Sequence, residues 1–317
     1  MGHRFTNPWP HPRHGFRDVL KWKMGRGPSP EIIHPGATDS AEWQPIDLRD
    51  LEEIPAEGWQ VYWLGHASFL LCGCGVRLLI DPVFSDYCAP FPFQFSGLKR
   101  LKPPPLAVFE LPPIDAILLT HLHYDHCDLP TLRQFPSNTM IVVSEGHQRW
   151  LEKRGFGNVR ELSWWNKAQL AAGVTVVATP AQHFTARTPW DRNLGHWCGW
   201  CIEGGGQRIW HAGDSGYCPA FAEIGDRLGP MDFSMIPIGS YQPRWYMESV
   251  HMNPAEAVQV FEETRTQQAV AMHWGTFSLT DEPIGEPPLL LAQALIERGI
   301  DAARFEAGKI GQMWRVI

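Results

Sequence analysis

The sequence predicts an α/β domain, and three observations carry the prediction. Apolar runs four to five residues long recur at 116–119, 140–143, 174–178 and 269–272, the length and composition of buried strands. Helix-start signals lie between such runs. The clearest is Asn253-Pro254-Ala255-Glu256, an N-cap residue followed by proline at the first helical position and glutamate three residues after the cap. The third observation is positional: residues able to ligate metals collect where the runs end.

The 317 residues, 44% hydrophobic and 19% charged, are enough for a sizeable core and fit one α/β unit. No apolar run approaches the length of a bilayer span, and the N-terminus lacks the continuous apolar region of a secretory signal. The expected location is therefore the cytoplasm. Seven scattered cysteines read as reduced thiols, not as a disulfide framework. The net charge of −7, without a basic run to oppose it, argues against nucleic-acid partners.

In chain order, residues 1–55 read as an arm: proline is frequent and periodicity weak, apart from Phe16, Val19, Leu20 and Met24, which would share one face of a short helix. Residues 1–30 carry Arg4, Arg13, Arg17, Lys21, Lys23 and Arg26 against Asp18 alone, interleaved with Phe5, Trp9, Phe16 and Trp22. That mixture suits peripheral contact with an anionic lipid surface, and equally an arm packed onto the domain. Met1-Gly2-His3-Arg4-Phe5-Thr6 also matches the short myristoylation pattern.

The domain proper, 56–317, opens with strand-like runs at 59–64, 68–71 and 77–82 joined by glycine-bearing connections, a meander. His66 follows the first run, either facing a site or making a structural hydrogen bond. Asp81 ends the third, placed to orient a ligand histidine. Residues 84–113 form a long irregular segment that holds Phe84, Tyr87, Phe91, Phe93 and Phe95 with Lys99, Arg100 and Lys102. An apolar and basic loop suits a substrate with a fatty tail and a phosphate, or packing against the arm. Strands follow at 140–143, 159–162, 174–178, 207–211, 233–239, 269–275 and 312–317, with helices over 146–153 and from Asn253 to about Thr264. Cys198-Gly199-Trp200-Cys201 has redox-motif spacing but no following helix, and reads as a strand.

The chemistry concentrates in Thr120-His121-Leu122-His123-Tyr124-Asp125-His126, directly after a buried strand. In an extended segment His121 and His123 point the same way and grip one ion, while a turn would redirect Asp125 and His126 to a second. Further along, His183 lies just beyond the strand at 174–178, Asp214 sits in a glycine-flanked turn after 207–211, and His273 closes 269–272. A carboxylate at Asp214 is placed to bridge two ions. His251, ahead of the helix at 253, belongs to a loop at the rim.

The set His121, His123, Asp125, His126, His183, Asp214 and His273 resembles the metal set of the metallo-β-lactamase fold. The resemblance implies an αββα sandwich with a dinuclear site at the sheet edge. By it, His121, His123 and His183 hold one ion, Asp125, His126 and His273 the other, and Asp214 bridges them. Longer strings narrow the resemblance to the N-acylphosphatidylethanolamine-hydrolysing phospholipase D family and its bacterial relatives. These are Arg4-Phe5-Thr6-Asn7-Pro8-Trp9-Pro10, Trp63-Leu64-Gly65-His66-Ala67, Pro180-Ala181-Gln182-His183, Arg187-Thr188-Pro189-Trp190-Asp191, Ala212-Gly213-Asp214-Ser215-Gly216, Pro243-Arg244-Trp245 and His273-Trp274-Gly275-Thr276-Phe277. Val250, ahead of His251, departs from the polar residue of the animal members and leaves the lipid preference open.

The resemblance implies a phospholipid substrate and two Zn²⁺ ions, with iron or manganese as alternatives for the same donors. A metal pair would lower the pKa of a bridging water and clamp a phosphodiester for in-line attack, releasing N-acylethanolamine and phosphatidic acid. Asp125 and Asp214 are then the catalytic carboxylates, and His251 and Arg244 the expected phosphate contacts. Arg244 has a bland alternative as an ion-pair residue. Two competing functions stand beside this one: hydrolysis of another lipid, a soluble phosphodiester, a lactone or a thioester on the same fold, and non-catalytic metal or lipid binding.

Overall fold

The computed structural model describes residues 4–12, 14–89 and 98–317. Arg13, Phe91, Phe93, Phe95 and the start of the myristoylation pattern lie outside them. Two seven-stranded mixed sheets form the molecule's centre. The first contains β1 (Trp59–Gly65), β2 (Ser68–Gly73), β3 (Val76–Ile80), β4 (Ala116–Leu119), β5 (Met140–Ser144) and β6 (Val159–Leu162). The second contains β7 (Lys167–Gln169), β8 (Thr175–Thr179), β9 (Gly199–Gly204), β10 (Gln207–His211), β11 (Phe233–Pro237), β12 (Gln268–Met272) and β13 (Phe305–Glu306). The last strand, β14 (Met313–Val316), returns to the first sheet and pairs antiparallel with β1.

Each sheet starts as an antiparallel meander and continues as parallel strands. β1, β2 and β3 alternate in direction, after which β4, β5 and β6 run parallel to β3. In the second, β7 through β10 alternate and β11 to β13 run parallel to β10. Side-chain alternation then gives each strand two apolar faces. Val61, Trp63, Phe69, Leu71, Leu78 and Ile80 face the core shared with the second sheet, while Tyr62, Leu64, Leu70 and Leu79 belong to a separate cluster on the outside.

The helices are α1 (Phe16–Lys23), α2 (Leu129–Leu132), α3 (Gln148–Glu152), α4 (Ala220–Leu228), α5 (Arg244–Met247), α6 (Pro254–Glu263) and α7 (Glu286–Arg298). Leu132 of α2 and Leu151 of α3 cover the outer face of the first sheet. Phe221 of α4, Val258 and Phe261 of α6 and Leu295 of α7 cover the second. The result is four layers, helix, sheet, sheet, helix, in agreement with the sandwich expected. The cap at Asn253 forms as the sequence indicates: its Oδ1 accepts from the Glu256 amide at 2.9 Å, and Glu256 Oε2 accepts from the Asn253 amide at 2.8 Å.

Three details differ from expectation. On α1 the packed residues are Val19 and Trp22, which join Tyr246, while Leu20 and Met24 are 50% and 47% exposed; Trp22, paired with Tyr246 and hydrogen-bonded to Asp281, rotates the helix away from the predicted face. Arg100 is no surface cation. It is buried and donates to the carbonyls of Ser85 and Val83 at 3.0 and 2.6 Å, knotting the segment on itself. The helix near 146 is shorter than expected, because Gly146 takes φ +88 and delays its start. The cysteines are all free thiols, and burial holds those of Cys198 and Cys201, beside and on β9, well above their usual pKa.

His147 is buried beneath this region and donates from Nε2 to the His196 carbonyl at 2.8 Å. Burial pushes its pKa down to about 4. Because the folded pKa lies below the unfolded one of about 6.5, the unfolded state binds the extra proton between these values. The neutral ring's contribution is complete above about pH 6.5 and is lost as the pH falls toward 4. Urea titrations should show the wild type losing up to about 1.4 kcal/mol per pH unit over that window relative to His147→Gln; parallel pH profiles would contradict the assignment.

Candidate metal centre

Strand direction assembles the site. β1, β3 and β4 run the same way, so His66, Asp81 and the 121–126 segment all follow strand ends on one edge of the first sheet. β8 and β10 are each antiparallel to β9, and β12 is parallel to β10 through β11, so His183, Asp214 and His273 emerge on one edge of the second. The two edges meet, and residues distant in sequence come within bonding distance.

In the first cluster, His121 Nε2 and His123 Nδ1 lie 2.8 Å apart, and His183 Nε2 is 3.2 Å from His123 Nδ1. The opposite ring nitrogens are already engaged. His183 Nδ1 donates to the Val250 carbonyl at 2.9 Å, and His121 Nδ1 sits 3.0 Å from Thr120 Oγ1. Since the Thr120 hydroxyl donates to Asp81 Oδ2 at 2.5 Å, its oxygen accepts from His121. Nε2 of both histidines therefore presents a lone pair toward His123 with no proton to share. Tetrahedral ligands about 2.0–2.1 Å from a metal are themselves roughly 3.3 Å apart, close to the separations here.

The second cluster is Asp125, His126, His273 and His66. Asp125 Oδ2 is 3.0 Å from His66 Nε2, 3.5 Å from His273 Nε2 and 3.7 Å from His126 Nε2. His126 Nδ1 donates to Asp81 Oδ2 at 2.7 Å, which aims Nε2 into the cluster. Asp214 Oδ2 stands between the clusters, 3.1 Å from both His126 Nε2 and His273 Nε2 and 3.7 Å from His183 Nε2. One carboxylate oxygen thus reaches both sets.

Electrostatics separate the two clusters. Burial, with neighbouring imidazoles, holds His121 well below the usual range and lowers His123 and His183 to about 4 and about 3. These rings are neutral, as metal ligands must be. Burial also disfavours charge at His126 and His273, yet Asp214 and Asp125 outweigh it, holding His126 well above its usual pKa and His273 up to about 9. Burial opposes ionisation of both carboxylates as well, but His126 with its neighbours holds them well below the usual carboxylate range. Carboxylates that draw protons onto two imidazoles will draw a dication in their place. His126 Nε2, His273 Nε2 and Asp214 Oδ1 are buried without hydrogen-bond partners. Buried nitrogen and oxygen atoms without partners, at ligand spacing, fit a pair of divalent cations.

The backbone around the donors is constrained. His66, Asp81 and His273 take φ of 53°, 42° and 63°, uncommon for side-chain-bearing residues. The His273 amide bonds the His66 carbonyl at 3.1 Å, and the His66 amide bonds Thr276 Oγ1 at 2.7 Å. At Gly239, which follows β11, a Cβ would lie 2.1 Å from the His273 carbonyl oxygen. Glycine there lets the second cluster form.

All seven expected ligand residues are brought together, and His66 and His251 join them. The His251 ring is 5.0 Å from that of His183 and 5.1 Å from that of His273, and its Nδ1 is buried without a partner. Arg244 is placed differently from the expected phosphate contact: it pairs with Glu256 at 2.7 Å and donates to the His251 carbonyl at 3.1 Å, so it braces the His251 segment. Sequence reading missed Thr120, whose only signal is its place before the first histidine. It also missed Asn7, which exchanges two hydrogen bonds with the His183 backbone across 176 residues, at 3.0 and 3.2 Å.

Asp81 serves two ligands at once, so Asp81→Ala should weaken metal binding by roughly 10- to 100-fold, measured by competition with a chromophoric chelator; unchanged affinity would remove it from the site. Asn7→Ala should weaken the first-cluster ion only, read as a change in one of two binding phases.

The family description Beta-lactamase superfamily domain matches residues 76–274. The chain is 36% identical over 266 residues to N-acyl-phosphatidylethanolamine-hydrolyzing phospholipase D 1 of Caenorhabditis elegans, an alignment covering 80% of this chain and 74% of that protein. It is 34% identical over 247 residues to the mitochondrial N-acyl-phosphatidylethanolamine-hydrolyzing phospholipase D of Saccharomyces cerevisiae, covering 75% of this chain but 52% of the yeast protein, so it spans about half of that relative's length. Among solved structures, a possible metal-dependent hydrolase from Veillonella parvula superposes with a TM-score of 0.67 at 17% identity, over 83% of this chain and 100% of that one, a likeness of fold. The chain belongs to the metallo-β-lactamase superfamily and, within it, to the family of the N-acylphosphatidylethanolamine-hydrolysing phospholipases D.

Proposed function

We propose that the protein is a zinc-dependent phosphodiesterase of phospholipase D type that converts N-acylphosphatidylethanolamine to N-acylethanolamine and phosphatidic acid. The observation that carries the reading is the pair of acceptor clusters joined through Asp214 Oδ2; family membership supplies the substrate class. His121, His123 and His183 would hold one ion and Asp125, His126 and His273 the other, with Asp214 shared. Such a pair supplies a water of lowered pKa and positive charge facing the phosphate.

The chain's own residues provide the rest. Thr120 and Asp81 fix the tautomers of His121 and His126, so that nitrogen lone pairs face inward. Burial holds His251 well below the usual imidazole range, so it is a neutral ring whose unbonded Nδ1 serves as a contact for a phosphate oxygen or the leaving alkoxide. Arg244 positions His251 through its carbonyl, with Glu256 holding the guanidinium. No helix among the described residues is long and apolar enough to cross a membrane. The exposed Leu20 and Met24 beside Lys21 and Lys23 on α1 support peripheral contact with anionic lipid.

Purified protein should contain two metal ions per chain by elemental analysis and should release N-acylethanolamine and phosphatidic acid from mixed micelles, identified by mass spectrometry. Asp214→Asn should lower kcat at least about 100-fold with the fold retained. Release of a fatty acid and a lysophospholipid would move the broken bond elsewhere and sink the proposal. Turnover of a soluble diester alone would reject the lipid assignment.

A further inference from the structure

Beside the metal centre lies a cavity of about 160 Å³ between the arm, the segment after β8 and α5. Its walls include His11, His14, Phe184, Arg192 and Tyr246, together with His183 of the first cluster, and no carboxylate lines it among the described residues. The absence is notable in a chain of net charge −7. Asp18, the nearest acidic group to His14, approaches Nδ1 at 3.9 Å and is not part of the wall.

Arg192 is the informative residue. Its guanidinium lies 4.2 Å over the Phe184 ring, and among the described residues it has no hydrogen-bond acceptor or ion-pair partner. Phe184 in turn packs 4.6 Å from the His123 ring and 5.0 Å from the His183 ring, so the guanidinium stands one aromatic ring from the metal centre. The backbone around it is held firmly. Arg4 donates to the carbonyls of Trp190 and Arg192, the Phe5 amide bonds the Asn193 carbonyl at 2.9 Å, and Asn193 Nδ2 returns a bond to the Phe5 carbonyl at 3.1 Å. Partial burial lowers the guanidinium's pKa. A half-buried cation in a fixed frame without a protein anion is costly unless a ligand completes it, and the planar fork of arginine suits carboxylate or phosphate oxygens. The volume equals roughly five waters at about 30 Å³ each, room for one such group.

We propose that this cavity is an oxyanion subsite in which Arg192 receives a carboxylate or phosphate adjacent to the scissile phosphodiester. The inference rests on the phosphodiesterase reading for its role in catalysis, although the anion site itself does not. The oxyanion comes either from the substrate headgroup or from free phosphate.

Isothermal titration of the metal-loaded protein with inorganic phosphate reads the site directly. Arg192→Gln should bind one phosphate fewer per chain than wild type, and Arg192→Lys should keep the wild-type number with weaker affinity. Equal numbers in wild type and Arg192→Gln overturn the proposal. The source follows from the ratio of kcat/KM for N-acylphosphatidylserine, whose headgroup adds a carboxylate, to that for N-acylphosphatidylethanolamine. A fall of about 10-fold or more in Arg192→Gln, the scale of a lost charged hydrogen bond, assigns the headgroup; an unchanged ratio with the phosphate lost assigns free phosphate. Wild type that hydrolyses neither lipid refutes the phosphodiesterase reading, while the phosphate count still decides the subsite.

Discussion

The constraint on which this structure depends is the convergence of buried imidazole nitrogens and carboxylate oxygens at ligand spacing. Nε2 of His121 and of His183 converges on His123 Nδ1 because Thr120 and Val250 occupy the opposite faces of the two rings. His123 Nδ1 can offer one proton to two buried lone pairs, so without a cation one of them stays desolvated and unpaired. The fold bears that cost through rigid strand ends, strained residues at His66, Asp81 and His273, and a carboxylate, Asp81, that orients two of the elements it joins. The architecture holds these donor atoms at the spacing a metal ion requires.

Strand polarity explains why this edge and no other carries the chemistry. Each sheet changes from antiparallel to parallel partway across, so strands that leave the meander deliver their carboxyl ends to the same side. Loops at that side need only be short to bring histidine and aspartate together. The long connection 180–198, which leaves and re-enters on that side, carries His183 close to its start, and the segment after β3 is tied down by Arg100, whose donors are spent on backbone carbonyls.

The features legible in the sequence were those governed by local rules. Alternation and run length located most strands, the Asn253 cap located α6, and the crowding of His121, His123, Asp125 and His126 marked a metal motif. Features set by tertiary contact were not legible. The face of α1 depends on Tyr246, more than 220 residues away. Arg244 looked available for a phosphate because nothing in its neighbourhood of sequence announces Glu256, which sits twelve residues on and serves its helix cap with the other oxygen. Asn7 pairs with His183 through backbone atoms, which carry no residue-type signature. Helix α7 was overlooked although proline in its first turn and Gly299 with φ 65° at its end are ordinary helix punctuation.

The return of β14 to the edge of β1 has a bearing on how the protein is made. During synthesis β1 emerges early, yet its neighbour β14 begins only at Met313, so one flank of the first sheet stays bare until that distant stretch has been made. Nascent molecules therefore pass through a stage with an open, apolar strand edge, when chaperones or a second nascent chain can reach what the finished protein conceals.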